Sequence, residues 1–246
     1  MLSVVIPFYN EEKRMKSESR MTTAIDYMLK ELKDPFELVL ANDGSTDNTI
    51  NLLEDLKNQY SDIPIQIVSY SQNQGKGHAV KLGVLASKGG KIIVMDADIS
   101  IDLAEMHKFI KELDEYDIVI GSKKHFLTQT KKSQNAPRRI LGKGYTLITN
   151  IFLGLNFTDI TCGFKGFKAN AAKSVFEKQR INRFAYDSET LFLAKKLGFS
   201  IKELPVSWYH IEGSTVSTII DTWRSSKDLA SILFNYYYGN YNKKAK

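Results

Sequence analysis

Short apolar runs at residues 2–6, 36–41, 65–69, 92–95 and 117–121 alternate with stretches of helical periodicity, and this alternation constrains the fold most. Runs of this length, rich in Val, Ile and Leu, suit strands buried on both faces. Between them, residues 49–60 carry Ile50, Leu53 and Leu56 at helical spacing, and 79–86 and 103–113 read as further helices. A polar helix is expected after residue 10, ending near Lys33-Asp34-Pro35, and Pro7 is expected to stop the first strand. Strands alternating with helices build βαβ units, so the expected class is α/β: a Rossmann-like, mostly parallel central sheet flanked by helices. In open sheets of this kind ligands bind beyond the carboxyl ends of the strands, near a topological switch point. The loops starting at Pro7, Asn42, Gln72, Asp96 and Gly121 should therefore line one edge.

Those loops carry chemistry. Ile92-Ile93-Val94-Met95 ends abruptly in Asp96-Ala97-Asp98. Carboxylate oxygens are the ligands that hard cations such as Mg2+ or Mn2+ prefer, and magnesium typically takes one or two of them, completing its shell with water and substrate phosphates. A helix cap at a strand end would use the same residue type, so the motif alone leaves both readings open. Pro7-Phe8-Tyr9-Asn10-Glu11 and Asn42-Asp43-Gly44-Ser45 follow two successive strands. A loop carboxylate there can accept from a ribose hydroxyl or a base N–H. Gly75-Lys76-Gly77 lets backbone approach a phosphate at a helix start. Neither a full Walker pattern nor Gly-x-Gly-x-x-Gly is present, which disfavours classical triphosphate or dinucleotide binding.

Beyond residue 121 the pattern changes. Lys123, Lys124, Lys131, Lys132, Arg138 and Arg139 make a basic, poorly periodic segment, followed by helical stretches at 141–155, 187–197 and 222–238. Residues 157–167 read as irregular or short strand, and 201–208 as strand. A net charge of +6 favours anionic partners, but no nucleic-acid module accompanies it, so a nucleic-acid role is not expected. The lone Cys162 excludes an internal disulfide. The N-terminal residues enter an apolar strand without a charged n-region or cleavage site, so a signal peptide is not expected. No uncharged apolar run reaches the roughly 18 residues of a spanning helix, and a cytoplasmic or membrane-peripheral protein is expected.

Pro7-x-Tyr9-Asn10-Glu11, Asn42-Asp43-Gly44-Ser45-x-Asp47, Asn73-x-Gly75-Lys76-Gly77 and Asp96-x-Asp98 resemble, in order and spacing, the inverting family 2 glycosyltransferases of the GT-A fold. Asp159-Ile160-Thr161-Cys162-Gly163-Phe164-Lys165, Phe184-Ala185-Tyr186-Asp187-Ser188-Glu189 and Val206-Ser207-Trp208 with Glu212-Gly213-Ser214 resemble the dolichyl-phosphate glucosyltransferase and mannosyltransferase branch, the glucosyl type more closely. The resemblance runs to about Gly239 and implies a single domain over 1–246. Residues 1–121 would bind the nucleotide sugar, 122–239 would form C-terminal acceptor-side elements, and 240–246 a basic tail.

Roles follow from the resemblance. Pro7, Tyr9, Glu11 and Asp43 would hold the nucleoside, with Lys76 near it and the diphosphate. Asp96 and Asp98 would hold Mg2+ or Mn2+, Asp98 directly and Asp96 through water or by holding the sugar. This chain departs from the pattern in three places. Asn42 replaces a usual Asp, Ser100 stands where mannosyl enzymes usually place a metal-binding Gln, and Lys123 replaces a usual Arg, a point charge instead of a planar fork. If the acceptor is a polyprenyl or dolichyl phosphate, it arrives ionised, and Lys123, Lys124, Arg138 and Arg139 would cradle it. In-line attack would then give a β-linked sugar phosphate from an α-linked donor. If the acceptor is a glycan hydroxyl, a carboxylate must take its proton, and Asp187 or Glu189 stands where relatives keep that base. UDP-glucose is the expected donor, with GDP-mannose second. A binding protein without turnover is the alternative class, and retention of both Asp96 and Asp98 weighs against it. The apolar stretches 145–157 and 229–238 are short enough to pack into the core or to lie at a membrane interface.

Overall fold

The computed structural model describes residues 1–124, 128, 136–209 and 218–242, except the side chains of 136–139, 218–224 and 226. The strands are β1 (Leu2–Phe8), β2 (Phe36–Asn42), β3 (Ile65–Ser69), β4 (Lys91–Val94), β5 (Ile118–Ser122), β6 (Lys165–Lys168) and β7 (Ile201–Pro205). They form one sheet in the order β3-β2-β1-β4-β6-β5-β7. All neighbours pair parallel except β6, which runs antiparallel between β4 and β5. The carboxyl ends of β1, β2, β3, β4 and β5 thus share one edge, as expected. The chain steps from β1 to β2 and β3 on one side, and β4 returns to the other side of β1. That reversal between β1 and β4 is the switch point where a ligand crevice opens.

Side chains alternate across the sheet with period two, which buries both faces. Val5, Val39, Ile92 and Val94 face one core, and Val4, Ile6, Leu38 and Ile93 the other. On the first face pack α4 (Lys76–Ala86), α7 (Ala169–Lys178), α8 (Tyr186–Lys196) and α9 (Thr218–Tyr237). The second receives α2 (Arg20–Glu31), α3 (Thr49–Gln59) and α5 (Glu105–Glu112). α1 (Glu12–Ser17) precedes α2, α6 (Ala136–Leu153) lies against α9, and a short 3-10 helix, Asn240–Asn242, follows.

Several expectations need correction. Pro7 does not end β1, which runs on to Phe8 with Pro7 opposite Ala41. Val5 turns its polar groups toward β4, where its carbonyl accepts from Met95 N at 3.0 Å. Pro7, two residues on, faces the same side past the last paired residue of β4, so its missing N–H breaks no ladder bond. The polar helix after residue 10 is two helices, because Glu18 turns extended at φ −133°. α4 begins at Lys76, not residue 79, with Gly75 at φ 112° as its cap. α7 had no sequence counterpart, although it buries Ala171, Ala172, Val175 and Phe176. β7 ends at Pro205, and Trp208 pairs separately with Ile101. Among the described residues no helix is long and apolar enough to cross a membrane.

Candidate active site

The Asp-x-Asp loop leaves the carboxyl end of β4 at the switch point. Asp96 O accepts from Ile99 N at 3.1 Å and Asp98 Oδ1 from Ser100 N at 3.0 Å, so the loop folds back at once. Ile99 sits at φ 49°, a left-handed conformation that a β-branched residue rarely adopts. Strain of this kind concentrates where surrounding structure fixes a functional loop. The next residues are fixed from β7's continuation, where Tyr209 N donates to Ser100 O at 2.9 Å and Asp102 N to Ser207 O at 3.1 Å.

Asp96 is the centre of the cluster. Lys76 Nζ, from the first residue of α4, lies 2.5 Å from Asp96 Oδ1. At that separation the ammonium and the carboxylate form a charge-assisted hydrogen bond that fixes both side chains. Burial works against ionisation of Asp96, but Lys76, Lys123 and Lys165 outweigh it and hold the carboxyl below its usual range. Burial likewise disfavours the Lys76 ammonium, yet Asp96, Asp187 and Asp98 together hold its pKa well above the ordinary lysine value. Gly163 closes the other side of Asp96. A Cβ there would fall 2.0 Å from Asp96 Oδ2, so only glycine lets the carboxylate lie against this backbone. Gly163→Ala is therefore expected to displace Asp96 and cut turnover by about 100-fold, the scale of a misplacement near 1 Å. Initial rates measured beside a thermal melt check this.

The two loops after β1 and β2 are stitched together. Asn10 N donates to Ser45 Oγ at 3.0 Å, Thr46 N to Asn10 Oδ1 at 2.8 Å and Glu11 N to Thr49 Oγ1 at 2.9 Å. Pro7 is half-buried at the strand end and Tyr9 stays 42% exposed, open to a stacking partner. Glu11 pairs with Arg14 at 2.7 Å. Burial first, then Asp98, Asp47 and Asp96, raise its pKa against Arg14's pull, so Glu11 feels the field of the Asp-x-Asp loop. Asp43 is buried and bonded to its own chain. Its oxygens accept from Tyr70 Oη at 2.7 Å, Asn73 Nδ2 at 2.8 Å, Gln74 N at 2.8 Å and Gly75 N at 2.9 Å. The carboxylate thereby shapes the loop that presents Lys76.

Beyond β5 the neighbouring lysines diverge. Lys123 lines the same cleft as Asp96, Asp98 and Gly163, and its Nζ lies 5.7 Å from the Trp208 ring centre. Lys124 turns away to Asp159 Oδ1 at 3.1 Å, Gly142 O at 3.1 Å and Thr146 Oγ1 at 2.9 Å, occupying its three N–H donors. Arg138 and Arg139 lie in the first turn of α6, with side chains outside the described residues. Lys131 and Lys132 also lie outside them, as does Glu212-Gly213-Ser214.

The two carboxylates considered as bases part company. Asp187, in the first turn of α8, is buried against Lys165 Nζ at 2.5 Å, and Lys165 also donates to Cys162 O at 2.5 Å. Glu189 is fully buried elsewhere. Its Oε2 accepts from Arg180 N at 3.0 Å and Ile181 N at 2.8 Å, and its Oε1 from Tyr241 Oη at 2.7 Å. Burial raises its pKa. Glu189 anchors the C-terminal turn and does not join the cluster. Sequence reasoning assigned no role to Lys165 or Gly163, although both stand inside a quoted motif. Their partners are distant in sequence or on another loop, and no local spacing signals them.

The donor set fits a divalent cation of the Mg2+ or Mn2+ type. Asp96 and Asp98 offer carboxylate oxygens two residues apart in one cleft, the donor chemistry that such a cation prefers. Among the described residues no group of three or more His, Cys, Asp or Glu is clustered for a metal. Two carboxylates suffice when a diphosphate completes the shell. A cavity of about 620 Å3 lies at the opposite edge of the sheet, lined by Met1, Leu2, Gly90 and Lys91, away from every candidate residue.

Residues 3–176 match the glycosyl transferase family 2 domain. Dolichyl-phosphate beta-glucosyltransferase of Dictyostelium discoideum is 32% identical over 250 residues, spanning 97% of this chain and 75% of that protein. The Homo sapiens protein of the same name is 31% identical over 249 residues, spanning 97% and 76%. Glucosyl-3-phosphoglycerate synthase from Mycobacterium tuberculosis, solved with Mn2+ and UDP-glucose, superposes at a TM-score of 0.64 over 95% of this chain and 78% of that one. At 16% identity that likeness speaks to the fold, which is the expected GT-A fold. With the family domain matching residues 3–176 and such relatives spanning nearly all of the chain, this protein belongs to glycosyl transferase family 2 and is a glycosyltransferase enzyme.

Proposed function

We propose that the chain moves glucose from UDP-glucose onto a dolichyl or polyprenyl phosphate, inverting the anomeric carbon. Its relatives' name, dolichyl-phosphate beta-glucosyltransferase, supports the sugar and the acceptor, and the UDP-glucose held by a protein of the same fold supports the donor. The observation that carries the phosphate acceptor over a glycan hydroxyl is the state of Asp187. A hydroxyl must lose its proton to a free carboxylate, whereas Asp187 Oδ1 is already bonded to a buried ammonium. A phosphate monoester arrives ionised near neutral pH and requires no base.

The residues divide the work accordingly. Tyr9 and Glu11 flank the nucleoside, and Asp43 holds the loop that presents Lys76 to the diphosphate. Lys123, with Arg138 and Arg139 from α6, receives the acceptor phosphate, while Lys124 fixes α6 in place. Asp96 and Asp98 would hold Mg2+ or Mn2+, which when bound neutralises charge on the departing nucleoside diphosphate. The cations bring two anions together that otherwise repel, and orientation of this kind contributes much of a transfer rate. The acceptor oxygen forms a bond to the anomeric carbon opposite the leaving diphosphate. The old C–O bond breaks with its electron pair staying on UDP, and an α-linked donor gives a β-linked lipid phosphate. Such an acceptor sets the enzyme to work at a membrane surface, on the cytoplasmic side where nucleotide sugars are supplied.

The test is transfer of radiolabel from UDP-glucose or GDP-mannose to polyprenyl phosphate with Mg2+ or Mn2+. Label in the lipid phase from UDP-glucose is expected. Label from GDP-mannose alone overturns the sugar assignment, and label only on a glycan overturns the acceptor.

A further inference from the structure

The two glycines that flank Lys76 are imposed by the chain itself. A Cβ on Gly75 would fall 2.6 Å from Asn182 O, and one on Gly77 would fall 2.6 Å from Tyr186 Cβ and 2.8 Å from Ile181 O. Neither position has room for a side chain, because the backbone between α7 and α8 lies directly on the Gly75-Lys76-Gly77 turn. His78 N donates to Asn182 O at 3.0 Å as well as to Gly75 O at 2.9 Å, so the turn is bonded to that segment and not only packed on it.

Three buried side chains hold the segment in turn. Gln179 Nε2 donates to Gly77 O at 2.9 Å and to Ile181 O at 2.8 Å, so one amide ties the turn to its support. Glu189 Oε2 accepts from Arg180 N and Ile181 N, the next two residues of the segment, and Glu189 Oε1 accepts from Tyr241 Oη at 2.7 Å. Tyr241 stands in the 3-10 helix Asn240–Asn242. Arg180 Nη2 secures that helix at Asn240 O, 2.5 Å away, and Lys178 Nζ at Tyr241 O, 3.1 Å away. An apolar side chain would fill the place of Glu189 without the cost of burying a carboxylate, so the carboxylate is there for the bonds it accepts.

We propose that Gln179, Glu189 and Tyr241 are positioning residues for the nucleotide sugar. They touch no reacting atom. Through residues 180–182 they fix the Gly75-Lys76-Gly77 turn, and with it the start of α4, where Lys76 meets the diphosphate. The inference rests on the reading of Lys76 as the diphosphate's cation. A lysine side chain is long and flexible, so the place of its ammonium depends on how firmly its backbone is held. A cation already in place binds an anion without the ordering cost that a wandering one incurs. The 3-10 helix near the C-terminus thereby becomes part of the donor site, although it lies on the far side of Glu189 from the cleft.

The test is the affinity of the full chain for UDP with Mn2+, measured by calorimetry at a temperature where circular dichroism shows each variant folded. Gln179→Met and Glu189→Met, close in size but without the polar group, are expected to weaken UDP binding by about tenfold. KM for the lipid phosphate should stay within about twofold of wild type, because the acceptor meets other residues. Glu189→Gln should restore the affinity that Glu189→Met loses, since its amide oxygen accepts from Arg180 N and Ile181 N while its NH2 donates to Tyr241 Oη. Should Glu189→Met not fold, Tyr241→Phe combined with Gln179→Met carries the same test. Variants that melt earlier yet bind UDP as wild type does have lost stability alone, and they overturn the inference. Glu189→Gln that binds UDP but loses turnover also overturns it, in favour of proton removal by Glu189. Lys76→Met that binds UDP as wild type does defeats the reading of Lys76, and the inference with it. Wild type that binds GDP and not UDP defeats only the sugar assignment, and the same variants are then compared with GDP.

Discussion

Asp98→Asn is expected to lower turnover by roughly 1,000-fold, the loss of several kcal/mol of charge stabilisation, and to leave the melting temperature nearly unchanged. The separation of the two effects comes from the geometry. Asp98 is half-buried, and its Oδ1 accepts from Ser100 N at 3.0 Å. An asparagine Oδ1 accepts the same bond, so the turn and the strained Ile99 behind it persist. What the amide lacks is the charge that a divalent cation and a diphosphate require. Asp96→Asn makes a poorer probe, because it also removes the partner of Lys76 at 2.5 Å and so alters the diphosphate's cation along with the metal. Label transfer and a thermal melt, run on the same preparation, decide the matter. Turnover that survives Asp98→Asn removes the metal from the mechanism.

How far the sequence reached depended on the range of the interaction. The βαβ rhythm is local, and it placed the strand ends and their loops on one edge. The Asp-x-Asp, the Gly75 loop and the paired loops after β1 and β2 all fall on that edge. β6 was hard to see because Lys165–Lys168 is short and its antiparallel place depends on β4 and β5, both earlier in the chain. Adjacent residues with similar chemistry were harder still. Lys123 and Lys124 are neighbours, yet one faces the cleft and the other bonds Asp159 and α6. Asp187 and Glu189 are two residues apart on α8, about 200° around the helix, so they point to different surroundings. Glu189 finds Tyr241, 52 residues away, and Asp187 finds Lys165, 22 residues back. α6 shows a further limit. Its apolar residues repeat as a buried stripe would, and only the fold reveals that Thr146 and Thr149 join Leu153 on the inward side while Ile140, Leu147 and Ile151 stay exposed.

The Lys165–Asp187 pair separates a structural role from a basic one. Its side chains are 4% and 7% exposed. Removing one partner strands the other charge in the interior, so Lys165→Met or Asp187→Leu alone is expected to cost about 3–5 kcal/mol. For a chain of this size that lowers the melting temperature by roughly 10 °C, readable by calorimetry. Replacing both together removes both charges and leaves apolar side chains in their place, and such double replacements are often neutral or stabilising. The double variant should therefore recover most of the lost stability, a non-additivity that two independent sites do not show. Its activity then carries the argument about the acceptor. If Asp187 takes a proton from a sugar hydroxyl, the stable double variant is inactive. If the acceptor is a phosphate already ionised, no proton needs a destination, and lipid-phase transfer persists in the double variant while Asp98→Asn abolishes it.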